Sequence, residues 1–189
     1  MGVYGFVGVK GCGKTFKAIE MARVRGRFIV FDFGGAKDFL SWPRVSGSPK
    51  EVQNQIYKLF MRKPEVNPVW TPDDPHEAGE LCALIRKDKL AISVVFDEAW
   101  YVWSPSHIVK EVSAFIRLTR HHYGDGYYTS QRYGDLSQDA HGTTDVLHVF
   151  RCTSPRDLDR LKSEKNLDRE HVATLEKYKY IEVLGGFQA

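Results

Sequence analysis

The chain has 189 residues, a length that fits one domain, spanning 1–189, and leaves no room for a second of full size. Hydrophobic residues make up 42% and charged residues 27%, the balance of a globular chain, so a disordered or fibrous protein is excluded. A net charge of +3 permits a polyanionic partner without demanding one.

Apolar runs of strand length alternate with amphipathic runs of helix length. The N-terminus has no basic segment ahead of an apolar stretch, so no signal peptide is expected, and Phe6 stands where a myristoylation signal wants Ser or Thr. Residues 3–8 read as a strand and residues 14 to about 25 as a helix, with Ala18, Ile19 and Ala22 on one face. Residues 27–32 read as a second strand, broken by Gly34 and Gly35. A helix over 49–63 carries the stripe Val52, Ile56, Leu59 and Phe60. The proline-rich stretch 64–75 predicts a loop with one short edge strand at 69–71, because proline cannot donate to a sheet ladder. A further helix is expected from about 74 to 87. Residues 90–96 are almost uniformly apolar, as a central parallel strand covered on both faces should be. Pro105 is expected to open a helix reaching about His122, and residues 126–131 and 144–151 read as strands. Ser154 and Pro155 predict a helix start, with Ser as cap and Pro at the first position, and residues 178–184 close the chain as a strand. Strands alternating with helices imply an α/β domain on a mostly parallel sheet.

Two segments carry chemistry. The run Gly8, Val9, Lys10, Gly11, Cys12, Gly13, Lys14, Thr15 matches the phosphate-loop pattern, with a strand before it and a helix after it. Its glycines let backbone N–H groups close around a phosphate, helped by the positive helix end. Lys14 would reach the β- and γ-phosphates of ATP, and the Thr15 hydroxyl would ligate Mg²⁺. Cys12 reads as a small loop filler. The strand 90–96 runs into Asp97 and Glu98, the form of a Walker B motif: Asp97 would hold Mg²⁺, and Glu98 would act as general base for an attacking water. An adjacent Asp-Glu favours a nucleotide hydrolase over a small-molecule kinase. Gln131 ends the strand that follows and is placed to sense the γ-phosphate, while Arg120 lies near a helix end eleven residues earlier.

Other features are weaker. Basic residues are spread over Arg23, Arg25, Arg27, Arg62, Lys63, Arg86, Lys87 and Lys89 without forming one stripe. Trp100, Tyr101 and Trp103 follow the acidic pair and could line a subunit interface, stack on a base or simply pack. The histidines lack zinc spacing, so no zinc site is expected. Cys12, Cys82 and Cys152 are odd in number and far apart, which points to a reducing compartment rather than a disulfide framework.

The sequence resembles FtsK–HerA-type P-loop ATPases, and within them the genome-packaging ATPases of tailless, membrane-containing icosahedral viruses. The matching pieces are residues 8–15, 94–98, Arg120-His121, Thr129-Ser130-Gln131-Arg132, Leu136, 146–151 and Pro155-Arg156-Asp157. The resemblance implies a RecA-like sheet of the additional-strand, catalytic-Glu class, and a ring, expected to be a hexamer. It implies that Arg120 is an arginine finger acting on the neighbour's nucleotide, with Arg117 and Arg132 next in line, and that Gln131 is a sensor. It further implies that the enzyme drives double-stranded DNA into a preformed capsid and works with capsid or portal-vertex proteins. Its place would be the host cytoplasm and the packaging vertex of the virion. Contact with a viral membrane fits the resemblance, although no stretch is long and apolar enough to span one.

Three rival readings remain open at this level. A filamentous-phage assembly ATPase of the Zot type usually carries a transmembrane segment. A nucleotide kinase would want a lid of clustered arginines, and only Arg132 follows Gln131 closely. A nucleotide-dependent structural ring at a capsid vertex would need no general base, against which Glu98 stands.

Overall fold

The computed structural model describes residues 1–35, 39–118 and 124–185. Seven strands among them form one sheet: β1 (Val3–Val7), β2 (Phe28–Asp32), β3 (Val69–Trp70), β4 (Ser93–Asp97), β5 (Gly126–Ser130), β6 (Val146–Val149) and β7 (Ile181–Leu184). Their order is β3-β2-β4-β5-β1-β6-β7. Every neighbouring pair is parallel except β6 and β7.

Every residue of β2, β4 and β5 is buried, as strands covered on both faces must be. The period of two sorts them between two apolar layers. Ile29, Phe31, Val94 and Phe96 face one layer, and Phe28, Val30 and Val95 face the other. Helix α1 (Lys14–Arg25) supplies Ala18, Ile19 and Ala22 to the second layer. Helices α2 (Pro49–Arg62) and α3 (Pro75–Lys87) supply Val52, Ile56, Leu81 and Ile85 to the first.

Helix starts follow their local chemistry. Ser48 and Glu51 form a capping box at α2, the Asp74 carboxylate accepts from the His76 N–H at α3, and Pro stands in the first turn of both. Helix α1 differs: its N-cap is Gly13 at φ 108°, with no side-chain cap. Its leading N–H groups are therefore left for another acceptor.

The expected helix opening at Pro105 is not there. Instead a single turn, α4 (Trp100–Trp103), is followed by an irregular loop whose Ile108 bridges back to Trp103, and α5 (Lys110–Arg117) begins only after extended Val109. Ile108 stands four residues before Val112 and so continues the apolar period of α5 in sequence, which hid this break. Strand β4 starts at Ser93 rather than residue 90, because its partner β2 starts at Phe28 and Ser93 pairs there. The short helices α6 (Gln138–Thr143) and α8 (Arg169–Thr174) flank α7 (Pro155–Lys165) and were not expected. The short edge strand β3 and the serine-capped α7 are as predicted.

Strand β5 lies between β1 and β4, the additional-strand arrangement anticipated above. All three are parallel, so the loop after β1, the acidic end of β4 and the polar end of β5 emerge on one edge of the sheet. That carboxyl edge is where open α/β sheets bind ligands.

Candidate active site

The loop leaving β1 owes its path to glycine. Gly8, Gly11 and Gly13 take φ of 148°, 77° and 108°. A Cβ on Gly8 would sit 2.8 Å from the Phe150 Cβ, and one on Gly13 would sit 2.5 Å from the Tyr178 ring. The loop is anchored by the Val9 N–H donating to the Arg151 carbonyl at 2.8 Å and the Gly8 N–H donating to the Ser130 carbonyl at 3.2 Å. Cys12 is buried within it, consistent with a filler.

Lys14 is 5% exposed, and its ammonium donates to the Val9 carbonyl at 3.0 Å. Among the described residues no carboxylate is paired with it. A buried cation beside uncapped helix N–H groups and a glycine cradle fits a phosphate.

Across the sheet edge, the Thr15 hydroxyl donates to Asp97 Oδ1 at 2.8 Å. The Thr129 hydroxyl, fully buried on β5, donates to the same oxygen at 2.9 Å and accepts from the Glu98 N–H at 3.0 Å. Burial pushes the Asp97 carboxyl up to about 6 against the pull of these two hydroxyls, and the neighbouring Glu98 and Asp32 carboxylates push the same way. Asp32 lies beside Asp97 in the β2–β4 register and is paired with Arg44 at 3.2 Å. Excess negative charge beside a threonine hydroxyl fits a divalent cation shared with a phosphate. Among the described residues no cluster of three His, Cys, Asp or Glu side chains forms a self-contained metal cage.

Glu98 is held at φ 61°, in the left-handed region that a glutamate rarely adopts. Its Oε1 accepts from Gln131 Nε2 at 3.0 Å, and its Oε2 is buried without a partner. A strained, half-satisfied carboxylate at a sheet edge is the mark of a group kept for a reactant rather than for stability.

The residues singled out from sequence thus converge: the loop 8–15, Thr15, Asp97, Glu98 and Gln131 share one edge. Arg120 lies outside the described residues. Of its stand-ins, Arg117 is ion-paired with Asp139, and Arg132 is exposed immediately after Gln131. Trp103 is buried, with its indole N–H donating to Asp139, whereas Trp100 stacks on Tyr101 and both are partly exposed. Several basic residues serve packing: Arg23 lies over Trp42, Arg27 over Phe60, and Arg25 pairs with Asp125.

Sequence reasoning missed one member of the site, Thr129, and two neighbours of the phosphate loop, Phe16 and Tyr178. Thr129 carries no sequence signal for its role, because only the strand pairing brings it to both acidic residues. Phe16 directly follows the phosphate loop, a position that could have flagged it. Tyr178 had no local signal; its N–H donates to the Cys12 carbonyl at 2.9 Å from the far end of the chain.

No family model matches the sequence, and no curated protein is detectably similar to it. Solved structures do share the fold. The genome packaging NTPase B204 from Sulfolobus turreted icosahedral virus 2, in complex with AMP, superposes with a TM-score of 0.69 at 18% identity over 96% of this chain and 91% of its own. VirB4 of Thermoanaerobacter pseudethanolicus gives a TM-score of 0.56 at 11% identity over 98% and 89%. The N-terminal domain of zonular occludens toxin from Neisseria meningitidis gives 0.51 at 16% identity over 92% and 97%. The chain has the RecA-like P-loop fold, with a mostly parallel seven-stranded sheet between helices.

Proposed function

We propose that this chain is a magnesium-dependent ATPase that acts as a ring, expected to be hexameric, and drives double-stranded DNA into a preformed viral capsid. The observation that carries the hydrolase reading is the meeting, on one sheet edge, of the Lys14 loop, the Thr15–Asp97 pair and the Glu98–Gln131 pair. The packaging reading draws support from the whole-chain likeness to a viral genome packaging NTPase.

The chemistry follows from the residues. The loop N–H groups and Lys14 bind and orient the phosphates. Thr15 and Asp97 would hold Mg²⁺, which when bound neutralises charge on the phosphate oxygens. Glu98 takes a proton from the attacking water, and Gln131, bonded to Glu98, keeps the carboxylate aimed. Arg120, which lies outside the described residues, is the arginine this reading assigns to the neighbouring subunit's nucleotide. DNA and capsid or portal proteins are the partners this reading calls for. A Zot-type assembly ATPase is the second reading, favoured by the likeness to the zonular occludens toxin domain, though the superposition is poorer there. No helix among the described residues is long and apolar enough to cross a membrane.

The test is phosphate release from ATP with and without double-stranded DNA. Hydrolysis stimulated by DNA supports the motor. Turnover only in the presence of a small phosphate acceptor supports a kinase, and no turnover under either condition overturns the hydrolase.

A further inference from the structure

A cleft of about 780 Å³ opens beside the phosphate loop, bordered by Gly13 and Thr15 and walled by the rings of Phe16 and Tyr178. Both rings are unusually open for aromatic side chains, Phe16 at 68% and Tyr178 at 56% exposed. They meet at a centroid distance of 6.2 Å and an interplanar angle of 66°. Tyr178 is held there against its preference. Its φ is 68°, in the left-handed region, where a bulky residue is an outlier. Its backbone is tied to Cys12, and its ring rests so closely on Gly13 that no Cβ would fit between them. The fold thus spends strain to keep a solvent-facing ring at the mouth of the loop, and the hydrophobic core gains nothing from it.

We propose that Phe16 and Tyr178 are the seat of the nucleotide base, and that this seat reads the face of a purine and not its hydrogen-bonding edge. The inference rests on the nucleotide reading above. A base joined to phosphates in the loop must leave it along one of its walls, and the wall at Phe16 and Tyr178 presents aromatic surface next to Thr15. The exposed Lys177 ammonium, 4.8 Å over the Tyr178 ring, is the group a base stacking there would displace. Besides Lys14 and Thr15 at the phosphate end, the polar groups lining the cleft are the exposed Glu20, Arg23, Lys177 and Tyr178 hydroxyl and the half-buried Trp42 indole, whose ring lies under the Arg23 guanidinium. Glu20 is already bridged to Lys17 at 2.7 Å. Strong rejection of a wrong base needs a buried donor or acceptor that the wrong base leaves unpaired. Among the described lining side chains that could bond a base edge, none is buried except Lys14, which faces the phosphates. Stacking area then ranks the bases, purines above pyrimidines, with adenine and guanine nearly equal.

Equilibrium binding of ATP, GTP and CTP, each as its non-hydrolysable β,γ-imido form, and of inorganic tripolyphosphate to the full chain, by calorimetry in the presence of Mg²⁺, tests this. The wild type should bind ATP and GTP within about threefold of each other, and both roughly 5- to 100-fold more tightly than tripolyphosphate, the weight of base–aromatic stacking. Tyr178→Gly, which removes the ring while accepting the left-handed backbone, should lose most of that margin for ATP and leave tripolyphosphate within about twofold of wild type. Phe16→Ala, which carries no backbone strain, should lose part of it, and Tyr178→Phe should change nothing. If Tyr178→Gly weakens tripolyphosphate as much as ATP, the ring only props the loop and the seat is wrong. A preference for ATP over GTP above tenfold overturns the reading of faces. Wild-type binding of tripolyphosphate as tight as ATP overturns the seat but leaves the phosphate loop standing. Failure to bind either one removes the nucleotide reading and this inference with it.

Discussion

Replacing Thr129 by Val isolates one hydroxyl that touches both acidic residues. The two side chains have nearly the same shape, so the packing of β5 is kept while the hydroxyl is lost. That hydroxyl donates to Asp97 Oδ1 at 2.9 Å and accepts the Glu98 N–H at 3.0 Å. A hydrogen bond to a charged partner contributes ~1.5–3 kcal/mol, and an orphaned buried N–H costs ~1–3 kcal/mol. Shared geometry makes these less than additive, so a loss of ~3 kcal/mol in unfolding free energy is expected. Thr129→Ser keeps the hydroxyl and deletes one buried methyl, worth ~1 kcal/mol. Urea unfolding of the wild type and both variants measures the difference, and steady-state hydrolysis across Mg²⁺ concentrations measures its effect on the site. The Val variant should need more Mg²⁺ and turn over slowly, since Asp97 and Glu98 have lost their common tether. The Ser variant should stay close to wild type in both. A Val variant as stable as the Ser variant, with an unchanged Mg²⁺ requirement, would refute the tether.

Lys14→Ala should weaken both ATP and tripolyphosphate by about 100-fold, because it deletes the buried cation of the loop, and calorimetry on the two ligands checks this. Glu98→Gln should bind ATP as before and cease to hydrolyse it. The same variant should be as stable as wild type or up to ~1 kcal/mol more so, because it neutralises a carboxylate whose Oε2 is buried unpaired. Burial lowers His141 from 6.5 to about 4, so its contribution to stability is fully present above 6.5 and is lost as pH falls toward 4. The loss is at most ~3 kcal/mol, less solvent screening at its partly exposed edge, and His141→Phe should flatten the fall in unfolding midpoint between pH 7.5 and 5. Arg120→Ala should bind ATP and fail to hydrolyse it, yet regain activity when mixed with Lys14→Ala subunits. Mixed rings that form and stay inactive would count against a finger acting in trans.

The parts of this molecule that were legible from sequence are those whose cause is local. A glycine pattern followed by Lys14 and Thr15 dictates a loop and a helix start within a dozen residues, and an apolar run closed by Asp97 and Glu98 dictates a buried strand end. Caps such as Ser154 and Asp74 are read at short range for the same reason. What stayed hidden depends on pairing. Thr129 acquires its role because β5 slots between β1 and β4, and Tyr178 because residues just ahead of β7 fold back onto Cys12. The helix expected from Pro105 starts late because Ile108, four residues before Val112, imitates the helical period, while its bridge to Trp103 holds the backbone extended and leaves Ile108 exposed.

The sheet order also governs how the chain must assemble in time. Strand β1, which carries the phosphate loop, has as its neighbours β5 and β6, whose pairings with it begin at Gly126 and Val146. The β2, β3 and β4 strands pair among themselves within residues 28–97. The earliest residues of the sheet therefore wait for some of the last, and loop-closure entropy makes such distant pairings late and slow. A nucleus built from β2–α2–β3–α3–β4 would form first, with β1 inserted afterwards as a keystone. Pulse-labelled hydrogen exchange during refolding should show amides of β2 and β4 protected before those of β1. Protection of β1 first would reverse that order. The phosphate loop, though written first in the sequence, would then be among the last parts of the molecule to take shape.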